Sequence, residues 1–438
     1  MIDVEEITEK FCLGAKKSGA EADIFIENTN FAYVKSRLKK VEMLEISDKT
    51  SVNFRLIKDK RLISMSCNNP SELEGILKKA LISVNYLPED KNVQIAKSDN
   101  QINLLHGHKI SDQEIDTLKN NSLACDKYGN EIDGITNSEG CVFQCNVKKV
   151  TARNTSGFFG QYDKKVFCAS AEFIAGKDKG MNPGYESIMS HDLNLLDPIS
   201  IAKSAANDAI RGLNSKKVST CKADVLFESR CASSLIKSFA NAVNASAVCQ
   251  SSTFLLDALD KQVFPPDIQI IDDPLNNRGI RFGPFDGECI DKRKNNLVKD
   301  GVLKNWILDT YNGNKIGVDT NGMASRSSGG LVKPSYSSLY MQSSKNIKEE
   351  ELIKSVKSGF YVTDVFGFGV NYATGNYSQG AKGIWIEDGK LSFAVSEVTI
   401  SGNLKDMFKE LVVADNLEFK STVNCPTLFV GKMTISGN

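Results

Sequence analysis

Histidines are the first residues to examine for chemistry, because an imidazole can bind a metal or act as a general base. The chain has three, His106, His108 and His191. A hydrolytic zinc site needs at least three protein ligands and an open position, usually supplied by H-E-x-x-H or a related helical pattern. No such pattern occurs, and His106 and His108 lie in a polar stretch. A solvated turn is therefore the favoured interpretation of this pair.

Other catalytic signatures are absent or incomplete. The chain has no G-x-S-x-G nucleophile elbow. Gly367-Phe368-Gly369 lacks the third glycine and the lysine of a phosphate loop, so it predicts close packing of strands. A cysteine nucleophile activated by a histidine remains an open alternative, because these partners need to meet only in space.

Two groups of acidic residues could hold a cation or serve as an acid and base pair. They are Asp272-Asp273 and Asp286-Gly287-Glu288. Neighbouring carboxylates in a loop are usually solvated, because burying charge is costly. We therefore expect both groups to be exposed.

The segment from Gly359 to Leu404 is the most unusual, with eight glycines and no charged residue between Val365 and Ala381. Glycines allow two backbones to approach closely, and uncharged amide and aromatic side chains can contact a partner without burying charge. Such a surface suits an extended peptide or another subunit. The alternative is a tightly turned sheet core. The candidate contact residues are Asn371, Thr374, Gly375, Tyr377, Ser378 and Gly380.

Secondary-structure patterns divide the chain into three predicted domains. Residues 1–88 show a helix, several alternating strands and a second helix that begins at Pro70. Residues 89–221 contain a helix around 110–128, a hairpin, a long loop and another helix. Residues 222–438 begin with a strand and a helix over 232–248, after which strands dominate.

The fold class predicted from these elements is α+β, with antiparallel sheets, flanking helices and a predominantly β C-terminal domain. Asp300-Gly301 and Asp388-Gly389 each separate two apolar runs and predict tight hairpins. The sequence Thr-Ile-Ser-Gly-Asn at 399–403 recurs at 434–438, which suggests two strands in similar positions.

Composition excludes several functional classes. Lys plus Arg and Asp plus Glu both number 54, so the zero net charge argues against nucleic-acid binding. The longest uncharged stretch, 238–256, carries asparagine, glutamine and serines that oppose membrane insertion. The eleven cysteines include no C-x-x-C pair, and the acidic N-terminus does not fit a secretory signal. We therefore expect a cytoplasmic protein with reduced thiols and no membrane partner.

Four runs in the C-terminal third resemble the signature of the TldD/PmbA family, in its PmbA (TldE) branch. They are Gly367–Asn371, Thr374–Ala381, Trp385–Gly389 and Val395–Leu404. A weaker resemblance extends over the whole chain, including Ala15–Ala22 and Ala223–Val225.

The resemblance implies a family of peptidases, first described as modulators of DNA gyrase, in which a TldD-type subunit carries an H-E-x-x-x-H zinc helix. A PmbA-type subunit is its partner. The corresponding positions here are Ile236, Lys237 and Asn241, which offer no zinc ligand set. The resemblance thus implies no catalytic residue, no metal and no cofactor in this chain, with zinc expected in the partner.

The leading hypothesis is a non-catalytic subunit that binds a peptide or small-protein substrate and assembles with a zinc-bearing TldD-type subunit. A second hypothesis is a stand-alone or homodimeric peptide-binding modulator without proteolysis. A third is an independent hydrolase that uses cysteine and histidine.

Overall fold

The structure is a computed structural model that describes residues 4–177, 180–276 and 278–437. The N-terminal half of this part of the chain forms one sheet with helices packed against it. Its strands are β1 (Glu21–Arg37), β2 (Lys40–Lys58), β3 (Arg61–Cys67), β4 (Gln101–Leu104), β5 (Ile135–Asn154), β6 (Phe159–Ala175) and β7 (Asn182–Ser190). Its helices are α1 (Val4–Lys17), α2 (Leu73–Ser83), α3 (Asp112–Asn130) and α4 (Pro198–Arg211).

The C-terminal half contains shorter strands and helices. Its helices are α5 (Ser229–Ala242), α6 (Ala245–Cys249), α7 (Thr310–Ile316), α8 (Glu349–Ser355) and α9 (Leu404–Lys409). Its strands are β8 (Cys221–Phe227), β9 (Ile268–Asp272), β10 (Asn295–Lys299), β11 (Val302–Leu303), β12 (Ala324–Arg326), β13 (Val332–Pro334), β14 (Leu339–Ser343), β15 (Ser358–Phe366), β16 (Val370–Asn371), β17 (Asn376–Glu387), β18 (Lys390–Asn403), β19 (Val412–Val413), β20 (Val423–Asn424) and β21 (Leu428–Ser436).

The first sheet has the order β3-β2-β1-β5-β6-β4, with β7 also paired to β6. The sequence predicts several short strands between residues 22 and 56, whereas β1 and β2 are each continuous. The polar middle of the hairpin stays in register because Asn28 Nδ2 donates to Thr50 Oγ1 at 2.8 Å. The division predicted at residue 88 falls within this single sheet, because the second edge of β1 pairs with β5 from Asp23 to Ser36.

In the C-terminal half, β15 pairs with both β8 and β17, so the largest sheet closes on itself through β21 and β18. A second sheet has the order β11-β10-β9-β14-β20. The predicted α+β class with antiparallel sheets is confirmed, although β8 with β15 and β14 with β20 are parallel pairs.

The tight turns predicted at Asp300-Gly301 and Asp388-Gly389 are confirmed. Asp300 and Gly301 have φ of 51° and 73°, and Asp388 and Gly389 have φ of 46° and 74°. These left-handed conformations are those of a tight hairpin turn. The two copies of the repeated pentapeptide lie next to each other, because residues 399–401 of β18 pair antiparallel with residues 434–436 of β21.

The prediction of a single helix over 232–248 is wrong. α5 ends at Ala242, and Asn244 begins α6 by accepting a hydrogen bond from the backbone N–H of Ser246 at 3.0 Å. An asparagine side chain that binds the backbone in this way favours a new helix start over helix continuation.

Four buried charged side chains join the first sheet to the C-terminal half. Arg55 on β2 donates to Asp23 on β1 at 3.0 Å through Nε and to Glu288 at 2.8 Å. Arg326 donates to Asp23 at 2.6 Å. Glu288 also accepts from the backbone N–H of Thr310 at 2.7 Å. We call Asp23, Arg55, Glu288 and Arg326 the buried ion network.

The prediction that Asp286 and Glu288 are solvated is therefore wrong, as is the same prediction for Asp272; all three are buried. Their burial is tolerated because each carboxylate has specific partners. Glu288 meets Arg55, while Asp286 and Asp272 accept backbone N–H bonds. Burial opposes ionisation of Asp23, but Arg326 and Arg55 outweigh it and lower the pKa of that carboxyl.

We predict that Arg55→Gln lowers the free energy of unfolding by about 3 kcal/mol, because two buried carboxylates lose their shared cation. The matched control is Arg61→Gln, whose pair with Glu89 is partly exposed and should contribute less than about 1 kcal/mol. Urea unfolding of the two variants measures both values. Equal losses would show that the network adds nothing beyond an ordinary surface pair.

Candidate functional site

Helix α5 presents a polar face between a large cavity and the glycine-rich segment. Its side chains Leu235, Ile236 and Phe239 are fully buried in the core. On the other side, partly or fully exposed residues recur at helical spacing. We call this set the α5 face; it consists of Arg230, Ser233, Lys237 and Asn241.

A cavity of about 660 Å³ lies along the N-terminal part of the α5 face. One wall comes from β7 and α4, and the opposite wall comes from the chain around β20. Its lining is rich in charged and amide side chains, which suits a polar ligand such as a peptide backbone. The lining includes Glu186, Asp208, Arg211, Glu228, Glu349, Glu418, Lys420 and Asn424.

Charged side chains that line this cavity hold one another in place through ion pairs. Arg211 donates to Asp208 at 2.7 Å and to Glu228 at 2.7 Å, and Arg230 donates to Asp208 at 3.0 Å. Burial would raise the pKa of Asp208, but the charges of Arg230 and Arg211 lower it. The arrangement holds ionised groups in fixed positions, which favours binding over proton transfer.

The opposite wall is organised around Glu349. Its carboxylate accepts hydrogen bonds from Tyr361 at 2.6 Å and from Thr427 at 2.7 Å. Burial and the nearby carboxylates raise the pKa of Tyr361. This tyrosine therefore stays protonated and acts as a hydrogen-bond donor.

The glycine-rich segment meets the other end of the α5 face. Asn241 donates to the hydroxyl of Tyr372 at 3.0 Å, and the backbone N–H of Phe254 donates to the carbonyl of Tyr372 at 2.7 Å. The turn that follows is closed by Asn371, whose side chain accepts from the backbone N–H groups of Ala373 and Thr374. The α5 face therefore contacts the glycine-rich segment at Asn241.

The six candidate residues from the sequence divide by exposure. Asn371, Thr374 and Ser378 are exposed and available for contact. Gly375 is buried at a φ of +82°, and a Cβ there would lie 3.1 Å from Asn403 Oδ1. Gly380 is partly buried against Phe366. These glycines serve the turn and the strand packing.

Tyr377 is predicted from the sequence to be a contact residue, but it is not exposed. Its side chain is 2% exposed and forms an edge-on contact with the ring of Phe227. Its hydroxyl donates to Gln379 at 3.1 Å, and burial raises its pKa. Tyr377 is a core residue because its side chain points inward on β17, next to the outward-facing Ser378.

Gly369 shows the close strand packing expected from Gly367-Phe368-Gly369. A Cβ at Gly369 would lie 1.4 Å from the carbonyl oxygen of Ser378. The neighbouring Phe366 is about half exposed, and Phe368 is fully exposed. We call residues 366–368 the aromatic tip. Exposed aromatic side chains beside an uncharged turn are typical of a contact surface.

The positions that the family resemblance assigns to zinc do not fit that metal. Ile236 is buried in the core and has no donor atom, whereas Lys237 and Asn241 lie on the exposed α5 face. An ammonium group has no lone pair for zinc, and one amide cannot replace two imidazoles. In the described ranges, no group of three or more His, Cys, Asp or Glu side chains is placed to hold a metal ion.

The three histidines occupy structural positions. Backbone N–H groups of His106 and His108 donate to the carboxylate of Asp163 at 2.6 and 2.7 Å, which forms the predicted turn. His191 contacts the carbonyl oxygens of Lys165 at 2.7 Å and Gly279 at 2.9 Å.

All eleven cysteines are free thiols. Burial raises the pKa of Cys231, at the start of α5, well above its usual value. This shift disfavours the thiolate that a cysteine nucleophile requires.

The cavity residues were not identified from the sequence, because the walls of the cavity come from segments more than two hundred residues apart. One local signal was available. Asp208 and Arg211 stand three residues apart on α4, a spacing that places them side by side on a helix.

Among the described helices, none has the length and apolar character needed to cross a lipid bilayer.

Comparison with known proteins identifies relatives over the full chain. The PmbA/TldA metallopeptidase domain 1 matches residues 22–83, and the PmbA/TldA metallopeptidase C-terminal domain matches residues 220–437. The metalloprotease PmbA homolog of Haemophilus influenzae is 29% identical over 435 residues, which cover 97% of this chain and 94% of that protein. The PmbA homolog of Buchnera aphidicola subsp. Acyrthosiphon pisum is 30% identical over 320 residues, covering 72% and 70%.

A crystal structure from Thermotoga maritima, described as a candidate modulator of a DNA gyrase, shares the fold. It superposes with a TM-score of 0.87 at 23% identity and covers 99% of this chain and 100% of that one. The resemblance drawn from the C-terminal signature is confirmed by these matches. The chain belongs to the PmbA/TldD metallopeptidase family.

Proposed function

We propose that this chain is the non-catalytic subunit of a peptidase, and that it assembles with a zinc-bearing TldD-type partner. In this proposal the partner hydrolyses peptides or small proteins. The present chain binds part of the substrate and helps to close the cleft.

The observation that carries the proposal is the chemistry of α5. A zinc helix must project its ligands on one side toward a shared point. Here the helix buries Ile236 and exposes Lys237 and Asn241. These positions offer no ligand set for zinc, which supports a proposal in which hydrolysis is carried out by another chain.

The α5 face and its surroundings support a role in substrate binding. The cavity of about 660 Å³ has room for several side chains of an extended peptide. The carboxylate of Glu349 is held by Tyr361 and Thr427 and can accept hydrogen bonds from a peptide without rearrangement. The exposed ammonium group of Lys237 lines the same cavity and can donate to a peptide carbonyl or carboxylate. At the far end, Asn371 and Thr374 add uncharged polar contacts.

The aromatic tip supports a role in assembly. Phe368 is fully exposed, and burying such a ring against a partner removes a large apolar area from water. Its neighbour Gly367 has a φ of +96°, which lets the chain turn sharply and project the ring.

We predict that Lys237→Ala combined with Asn241→Ala raises KM of the assembled pair by about tenfold and changes kcat by less than about twofold. Loss of binding contacts raises KM alone when the residues take no part in the chemical step. Steady-state hydrolysis of a short peptide by the pair measures both constants. A fall in kcat of about a hundredfold or more would place α5 in the chemistry and refute the proposal.

We predict that Phe368→Ser weakens association with the zinc-bearing partner by about tenfold or more, because an exposed aromatic anchor is lost. The stability of the isolated chain should not change. Leu195→Ser is the matched control, because Leu195 is also largely exposed but lies outside the aromatic tip. Analytical ultracentrifugation of mixtures measures the affinity. Association that is equally strong in both variants, or formation of homodimers alone, would favour the modulator hypothesis.

A further inference from the structure

A second cavity, of about 250 Å³, lies between the first sheet and the C-terminal half, away from α5. Its lining combines aromatic rings, including Tyr162 and Phe285, with an excess of cationic side chains. We call it the cation cavity. Its cationic residues are Lys148, Lys164, Arg281, Lys292 and Arg326.

Two of the lysines are held against each other by the sheet. Lys148 on β5 and Lys164 on β6 are direct cross-strand partners, and both line the cavity. Like charges directly opposite each other on an antiparallel pair are destabilising. Glu27 offsets one of them through an ion pair with Lys148 at 2.7 Å.

Of the remaining cations, Arg326 has a carboxylate partner, because it pairs with Asp23 of the buried ion network at 2.6 Å. The polar contacts of Lys164 and Lys292 are to neutral groups. Lys164 donates to the carbonyl oxygen of Phe282 at 3.2 Å, and Lys292 donates to the hydroxyl of Ser337 at 2.9 Å. Within residues 4–177, 180–276 and 278–437, no carboxylate lies at ion-pair distance from Lys164, Lys292 or Arg281. The Nη1 of Arg326 is buried and has no hydrogen-bond partner in the same ranges.

Two buried carboxylates near the cavity direct their hydrogen bonds toward the backbone. Asp286 accepts from the N–H groups of Glu288, Ile290 and Ala324. Asp272 accepts from Ser337 and Ser338. These carboxylates moderate the positive potential but, among the described residues, leave the ammonium groups of Lys164 and Lys292 without direct anionic contacts.

The charges that face Lys164 act together on its protonation. Burial and the charges of Lys148, Lys292 and Arg281 lower the pKa of Lys164 to about 7, against the opposite effect of Glu27. Burial also lowers the pKa of Lys292, although Asp286 and Asp272 act in the other direction. Both shifts indicate that positive charge in the cavity is incompletely compensated, which favours the binding of an anion.

We propose that the cation cavity binds the phosphate group of a small ligand. A phosphate dianion offsets two positive charges at once, whereas a single carboxylate offsets one. Lysine is a point-charge binder that suits the oxygens of phosphate, and the cavity is large enough for such a group with a small substituent. The proposal is independent of the proposed function, because none of these residues lies on the α5 face.

Calorimetry with inorganic phosphate tests this inference on the full chain. We expect one phosphate bound per chain, with Lys164→Met and Lys292→Met each weakening binding by about tenfold or more. The matched control is Lys149→Met, because Lys149 adjoins Lys148 on β5 but alternates to the opposite face of the sheet. It should bind phosphate like the unmodified chain. No saturable binding, or equal losses in all three variants, would overturn the proposal.

Two further measurements separate a lost site from a damaged fold. Without phosphate, Lys164→Met should melt no lower than the unmodified chain, because the cross-strand repulsion is removed. Phosphate should then raise Tm less in Lys164→Met than in the unmodified chain or in Lys149→Met. Sulfate, which keeps its charge, should bind about tenfold more weakly at about pH 8 than at about pH 6, because Lys164 must take up a proton. Burial and the charge of Glu288 raise the pKa of Asp286 to about 7, so ionisation of Asp286 also weakens sulfate binding over this range. Lys164→Met should therefore reduce the pH dependence without abolishing it.

A peptide with a free C-terminal carboxylate tests whether the cation cavity binds a phosphate group or a carboxylate. If this peptide competes with phosphate and its C-terminally amidated form does not, the cavity is a carboxylate site and the phosphate proposal fails. Competition by neither form supports the proposal.

Discussion

The buried ion network is the interaction on which the arrangement of the two halves depends. Asp23 and Arg55 belong to adjacent strands of the first sheet, whereas Glu288 and Arg326 belong to the C-terminal half. A buried charge must have its partners in place, so neither half can shift without leaving an ion unpaired. Arg326 also lies over the ring of Phe25, 4.2 Å from its centroid, which adds a cation–π contact at the same point. The loop around Phe285 is consequently held against the sheet, where it forms one wall of the cation cavity.

Much of the fold could be predicted from the sequence where the signal is local. The Asp-Gly turns and the helix start at Pro70 depend on neighbouring residues, and both occur as predicted: the side chain of Asn69 caps a 3-10 turn, Pro70–Glu72, that leads directly into α2. Predictions that required distant partners were less accurate. Glu288 and Asp286 look like solvated loop acids until Arg55, more than two hundred residues away, is brought beside Glu288. The single sheet across residue 88 was missed for the same reason, since the pairing of β1 with β5 is not visible in either strand alone.

The candidate site was predicted in part. The uncharged, glycine-rich segment combines the two alternatives considered from its composition, because strand packing and an exposed turn occur within a few residues. Alternation along β17 decides between them: Tyr377 points into the core and Ser378 points outward. The cavity beside α5 could not be predicted, because its lining residues are far apart in sequence and no one segment carries its chemistry.

The two cavities also differ in character. The one at α5 balances acids against arginines, whereas the cation cavity leaves positive charge unmatched.

We propose that this member of the PmbA/TldD metallopeptidase family does not bind zinc on α5 and depends on a second chain for hydrolysis. The most direct test is to separate the co-purified subunits under native conditions and measure the zinc in each by mass spectrometry. The account predicts about one zinc per chain in the partner and none retained by this chain. A tightly bound zinc in stoichiometric amount on the isolated chain would contradict it.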